Sequence, residues 1–155
     1  MAKILEDLLP SAADCAKRMA EAEAEKASDY ARREAAAEAE KKALIQRLLE
    51  PSDVSDEERL KRAAAIINRA VNGGRMEVEV GRFPHQLLPD GGRAINQQEP
   101  GWENSLTGLP KELFLFWKKY LQPKGFRIKY QIVDWPGGMP GDIGITLSWT
   151  QKSPG

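Results

Sequence analysis

The apolar and polar positions divide the chain into a long helical segment and a second, mixed segment. Residues 1–50 contain no glycine and are rich in alanine, glutamate and lysine, which are strong helix formers. Ser11 and Asp14 form a capping-box-like start, and Pro51 ends the helix-compatible run after Glu50. The pattern therefore predicts a helical arm over residues 1–50.

Alanine recurs along the arm at spacings of three and four residues, which makes an 11-residue repeat. Its members are Ala13, Ala16, Ala20, Ala24, Ala27, Ala31 and Ala35. A repeat of this length favours a straight or slightly right-handed coiled coil, although alanine buries little apolar area. The alternative is a solvated single helix in which alanine is scattered by composition.

Two clusters of large apolar residues flank the alanine row. The first contains Ile4, Leu5, Leu8 and Leu9, and the second contains Leu44, Ile45, Leu48 and Leu49. Exposed clusters of this kind usually mark contacts. We therefore predict self-association through Leu5, Leu8, Leu9, Leu44 and Leu48, in an antiparallel homodimer that brings the two clusters together.

The remainder, residues 51–155, begins with a second helix. Ser55 and Glu58 form a capping box, and the glycines after Asn72 end the helix. The apolar spacing predicts a buried stripe, formed by Leu60, Ala64, Ile67 and Val71.

Three alternating runs then predict strands. The first, over 75–83, points Met76, Val78 and Val80 inward. After a helix that begins near Pro110 and ends at Pro123, the second strand covers 126–134 and the third follows a glycine-rich loop. The inward positions are Phe126, Ile128, Tyr130 and Ile132 on the second strand, and Ile143, Ile145, Leu147 and Trp149 on the third.

These elements predict an α+β fold: a long N-terminal helix followed by a small α-β-α-β-β domain with a three-stranded mixed sheet. The helix between the first two strands favours their parallel pairing through a right-handed crossover. The last two strands would form an antiparallel hairpin. On the solvent face, Glu77 and Glu79 would lie opposite Arg127 and Lys129 and form ion pairs.

Composition narrows the class of protein. Lys+Arg and Asp+Glu both number 23, so no net charge attracts the chain to nucleic acid or to an acidic membrane. The single cysteine, Cys15, excludes an internal disulfide, and no apolar run is long enough to span a bilayer. Glu6 and Asp7 interrupt any signal-peptide core. We expect a cytoplasmic protein that binds neither membrane nor nucleic acid.

The stretch from Asp134 to Trp149 raises the question of a phosphate-binding loop. A phosphate loop needs glycines that open a helix, whereas Gly138, Gly141 and Gly144 precede a strand. A hairpin loop is therefore favoured. The hairpin would bring Asp134 and Asp142 together, where the two carboxylates could bind a metal ion or cap turns.

Other candidate ligand-binding residues are His85, Asp90, Arg93, Trp102 and Trp135. His85 could act as a base with Asp90, and Arg93 could hold an anion. Each also has a structural interpretation, as a loop or turn residue. The two tryptophans could either mark a binding surface or fold back over the core.

These patterns favour a non-enzymatic interaction or adaptor protein with no cofactor and no catalytic residues. The arm would self-associate or dock, and the α+β domain would bind a protein partner at its loop end. The alternative is a small enzyme or ligand-binding domain with a site formed by loops 84–108 and 134–142. The irregular stretch 84–108 is itself either functional or an element that the pattern does not reveal.

Overall fold

A computed structural model describes residues 5–149 of the chain. The chain divides into two compact units, Met1–Lys42 and Ala43–Gly155. Ile4 of the first apolar cluster lies outside the described residues. Within the described range, no helix is long and apolar enough to cross a membrane.

The first helix, α1, covers Ala12–Leu49 and confirms the long N-terminal helix. Ser11 caps it, since its Oγ accepts a hydrogen bond from the Asp14 amide at 3.0 Å. None of the 38 residues of α1 is buried, and every member of the alanine row is exposed. Over the alanine row, the helix therefore depends on its own propensity and on any partner.

The second unit begins with the last turns of α1. Ile45 and Leu48 are partly buried and pack against the main core. The division between the units accordingly falls before Ala43, earlier than the predicted boundary at residue 50.

Helix α2 covers Asp56–Asn72, with Ser55 as its N-cap. The Ser55 Oγ accepts from the Glu58 amide at 3.2 Å, as the capping box predicts. The predicted inward stripe is wrong at two of its four positions: Ala64 is exposed and Val71 is 49% exposed. Ala63 and Ala70 face the core instead. Residues 63–65 are all alanine, so the sequence offers no contrast that would fix the phase.

The sheet contains β1 (Glu77–Pro84), β2 (Arg127–Ile132) and β3 (Asp142–Ser148). Its order is β1-β3-β2, and both pairings are antiparallel. The predicted hairpin of β2 and β3 is confirmed. The mixed sheet is wrong, because β3 lies between the two strands that we expected to pair in parallel.

The same strand order separates the predicted ion pairs. Glu77 and Arg127 are both aligned with Ser148, and Glu79 and Lys129 are both aligned with Thr146. The acidic and basic side chains therefore lie two strands apart, about 9–10 Å at the usual strand spacing, and are not direct neighbours.

A β-bulge in β1 changes which residues face inward. Val78 is aligned with Leu147, but the next inward residue is Gly81, aligned with Ile145, because the register shifts between Glu79 and Gly81. The extra residue, Val80, remains partly buried against the core. Met76 precedes the strand and is 65% exposed, so its predicted inward position is wrong.

The stretch 84–108 is an ordered part of the core. It contains three short helical turns, at His85–Leu87, Arg93–Asn96 (α3) and Trp102–Ser105. Its buried apolar side chains include Leu87, Leu88, Ala94, Ile95 and Leu106. Its turns are too short for a helical period, which is why the pattern did not reveal them.

Helix α4 covers Gly108–Phe116 and continues as a π-helical turn over Trp117–Leu121. The core lies between the sheet and these helices. Its main cluster is Phe83, Leu87, Leu88, Ile95, Leu106, Tyr130, Ile143 and Ile145, and a second cluster contains Phe116, Leu121 and Leu147.

Gly108 marks a close approach between α4 and the end of α1. Its φ is +63°, and a Cβ there would overlap the Leu48 carbonyl oxygen and lie 3.0 Å from the Leu49 Cα. A side chain at position 108 would therefore overlap the backbone at the end of α1.

We expect Gly108→Ala to lower the free energy of unfolding by about 3 kcal/mol or more, because it adds steric overlap to left-handed strain. Gly125→Ala is the matched control: its φ is +92° and nothing lies within 4 Å of the added Cβ. It should cost only the strain, about 1–2 kcal/mol. Urea unfolding measures both, and equal losses would contradict the close approach.

Candidate functional site

The loop that joins β2 to β3, residues 133–141, is built on a hydrogen-bonded base. The Val133 amide donates to Asp142 O at 2.9 Å, and the Gly141 amide donates to Asp134 O at 3.0 Å. The Asp142 amide in turn donates to Asp134 Oδ1. We call this segment the hairpin loop.

The structure brings Asp134 and Asp142 together and sets Arg82 of β1 against both. Arg82 Nη2 lies 2.9 Å from Asp134 Oδ2, and Arg82 Nε donates to Asp142 Oδ2 at 3.0 Å. The hydrogen bond to Asp142, with the charges of Asp134, Asp142 and Glu79, raises the pKa of the Arg82 guanidinium. Arg82 therefore stays charged and supplies the positive charge that a metal ion would otherwise supply.

Among the described residues, no group of three or more histidine, cysteine, aspartate or glutamate side chains could hold a metal ion. Asp134 and Asp142 already share the Arg82 guanidinium, which disfavours a cation site because the cation would have to displace Arg82. The arrangement is that of an ion-paired clamp on the hairpin loop.

His85 anchors the loop from the opposite side. Its Nδ1 donates to the Gly141 carbonyl oxygen at 2.8 Å. A carbonyl can only accept, so this bond places a proton on Nδ1.

Asp90 serves a different segment. Its carboxylate accepts from the amides of Gly92 at 2.8 Å and Ala94 at 3.1 Å, and so caps α3. The partner that His85 would need as a base is thus engaged with backbone amides. Arg93, the next candidate, is exposed on α3.

The two candidate tryptophans differ in exposure. Trp102 folds back over the core, with ring centroids 5.7 Å from Phe114 and 5.2 Å from Tyr130. Trp135 lies in the hairpin loop and is 50% exposed. Met139, four residues later in the same loop, is 67% exposed.

Sequence reasoning missed Arg82, Gly141 and Met139. Arg82 reaches the carboxylates only because β1 lies beside β3, which the pattern did not predict. A Cβ at Gly141 would lie 2.7 Å from Asp134 Cγ and 2.8 Å from Pro136 Cδ. The sequence signal for a tightly packed base of the hairpin loop was the position of Gly141 directly before Asp142.

We expect Gly141→Ala to break the base of the hairpin loop, because the new methyl group would displace the Asp134 carboxylate from the Asp142 amide. The exchange of the Asp142 amide hydrogen should become at least tenfold faster. Gly137→Ala, where nothing lies within 4 Å of the added Cβ, should leave that exchange unchanged. Amide exchange followed by NMR distinguishes the two variants. An unaltered rate in Gly141→Ala would contradict the hydrogen bond from the Asp142 amide to Asp134 at the base of the hairpin loop.

Comparison of the chain with models of known protein families, with curated proteins and with solved structures finds no match.

Proposed function

We propose that this chain is a non-enzymatic interaction protein. Its α+β domain would bind a protein partner at the hairpin loop, and its helical arm would self-associate or dock. The observation that carries the first part is the exposure of Trp135 and Met139, 50% and 67%, on a loop whose base is fixed.

Two large apolar side chains on a short loop expose apolar area that a binding partner would cover. Tryptophan is among the residues that contribute most to protein interfaces. The ion pairs of Arg82 and the bond from His85 restrain the base of the loop. A preformed loop loses less conformational entropy on association, so more of the contact energy remains as affinity.

The alternative, an enzyme or ligand-binding site formed by loops 84–108 and 134–142, has less support. The carboxylate of Asp90 binds backbone amides, and those of Asp134 and Asp142 bind Arg82. These groups hold the loops in place, which is the role expected of a scaffold for a binding surface.

The arm supports the second part of the proposal. Leu5, Leu8 and Leu9 are 65%, 76% and 74% exposed. Leucine side chains contribute about 1.5–3 kcal/mol each when they are fully buried, before the entropy of association is subtracted. A second copy of the arm would bury them together with the alanine row, in a coiled coil.

We expect Trp135→Ala/Met139→Ala to weaken partner binding by about 30-fold or more, which corresponds to the 2 kcal/mol typical of a central interface residue. Full-length variants would be used for affinity enrichment from extract of the source organism. Partners retained by the wild type would then be purified and titrated. The matched control is Met76→Ala, which removes a 65% exposed apolar side chain at the other end of β1. If every retained protein binds the double variant as well as the wild type, the hairpin loop is not the interface.

We also expect the full chain to sediment as a concentration-dependent dimer, and Leu8→Ser/Leu9→Ser to sediment as a monomer. Leu48 is unsuitable for this test because it packs against the core. Leu115→Ser, at a 53% exposed position on α4, is the control and should remain dimeric. A wild-type protein that stays monomeric at high micromolar concentration in sedimentation equilibrium would overturn self-association.

A further inference from the structure

A cavity of about 260 Å³ lies between α2, α4 and the inner face of the sheet. Its walls include Ala63 and Ile66 of α2, Phe116 and Leu121 of the α4 segment, and Ile128 and Leu147 of the sheet. The cavity is open to solvent along part of its wall, so a small molecule can enter it.

The small side chain of Ala63 contributes to the cavity. Ala63 faces inward on α2 between larger neighbours, Leu60 and Ile67, which pack against the second core cluster. A larger residue at 63 would extend into the space beside Phe116 and Leu121. Apolar cavities of about 150 Å³ stay dry and bind benzene, so a larger apolar cavity can hold a larger apolar molecule.

Polar groups lie at one part of the wall. Apart from Ser52, Arg59 and Arg62, all the lining residues that the structure describes are apolar. The Arg59 side chain is only 13% exposed, and its guanidinium lies 5.8 Å from the centre of the Phe116 ring. Arg59 Nη2 is 3.5 Å from Glu112 Oε2, a distance beyond a good hydrogen bond. Its other donors can bind a second carboxylate.

The two arginines lie three residues apart on α2, followed at 63 and 66 by apolar residues that also line the cavity. Arg62 Nη2 donates to Glu58 Oε1 at 3.0 Å in an exposed pair, as Arg59 pairs with Glu112, so a bound carboxylate would use the remaining guanidinium donors or replace the exposed Glu58. This helix face is polar at one end and apolar at the other. An occupant that matches this wall has an anionic head and an apolar body.

We propose that this cavity binds a small amphipathic monocarboxylate, with its carboxylate at Arg59 and Arg62 and its apolar body against Ala63, Ile66 and Phe116. Scaling from benzene in about 150 Å³ gives a body of about ten carbons. This site is separate from the hairpin loop, so its occupation is independent of the protein interaction proposed above.

The test uses sodium decanoate, kept below its micelle-forming concentration, and the full-length protein. Calorimetry should give saturable binding of one decanoate per chain. Intermolecular NOEs should connect the decanoate methylenes to the methyl groups of Ile66 and Leu121. Saturable binding without those NOEs would place decanoate elsewhere and overturn the proposal, as would the absence of binding.

Two alanine-to-leucine substitutions distinguish the effect of filling the cavity from a general effect on α2. Ala63→Leu should weaken decanoate binding at least tenfold, because the leucine side chain occupies the space. Ala64→Leu adds the same side chain at the exposed neighbouring position and should leave binding unchanged. Equal binding by both variants would overturn the proposal. If Ala63→Leu does not fold, Ala63→Val, with the smaller addition, provides the same comparison against Ala64→Val.

Ligands with different head groups test whether the two arginines of the wild-type protein bind the carboxylate. Decanoate should bind at least tenfold more tightly than decanol, and decyltrimethylammonium should bind more weakly than either. Arg59→Gln/Arg62→Gln should abolish the preference for decanoate over decanol. A preference that is absent in the wild type, or that persists in the double variant, would contradict the placement of the carboxylate.

Discussion

The fold depends on the pairing of β3 with both of its neighbours. Within the described residues, β1 and β2 each pair only with β3, so all of the sheet's ladder hydrogen bonds involve this strand. Its inward residues Ile143 and Ile145 are 0% and 1% exposed. Gly144 on the other face is buried too, and a Cβ there would lie 2.6 Å from Val133 Cγ1. A larger side chain is therefore not accommodated on either face of β3. The outer strands, in contrast, each have a polar face and one edge that pairs with no other strand in the described residues.

Hydrophobic periodicity predicted the longer helices and the three strands, but not the short turns of 84–108 or the arrangement of the elements. The capping box at Ser55 and the alternation of β2 were sufficient to identify a helix and a strand. The strand order could not be predicted, since alternation is the same whether a strand lies at the centre or at the edge. The bulge at Val80 was hidden for a related reason: one inserted residue changes the facing of those that follow without interrupting the apolar run. The phase of α2 was ambiguous because alanine at 63, 64 and 65 carries no contrast.

The candidate site, too, was predicted only in part from the sequence. The hairpin predicted that Asp134 and Asp142 would meet, and they do. Arg82, which binds both, belongs to a strand that is distant in sequence, so its contribution depended on the unknown strand order. Asp90 and His85 could be identified from the sequence as residues able to bind a ligand or act as acid or base. Their hydrogen bonds to backbone amides and to a backbone carbonyl could not be predicted, because the residue pattern does not encode them. The cavity beside Ala63 is a residual volume between three elements, which no local pattern encodes.

The position of β3 in the chain has a consequence for synthesis. Pro84, at the end of β1, is aligned with Asp142, 58 residues later. At ribosomal rates of about 5–20 residues per second, β1 waits roughly 3–12 s for the strand with which it pairs. β2 and β3 are joined by a short loop and have the smaller closure entropy, so the hairpin is favoured to form before β1 adds to it. Until then, the valines of β1 and the apolar face of α2 have no sheet to cover them, so this apolar surface stays open to aggregation while the chain is being made.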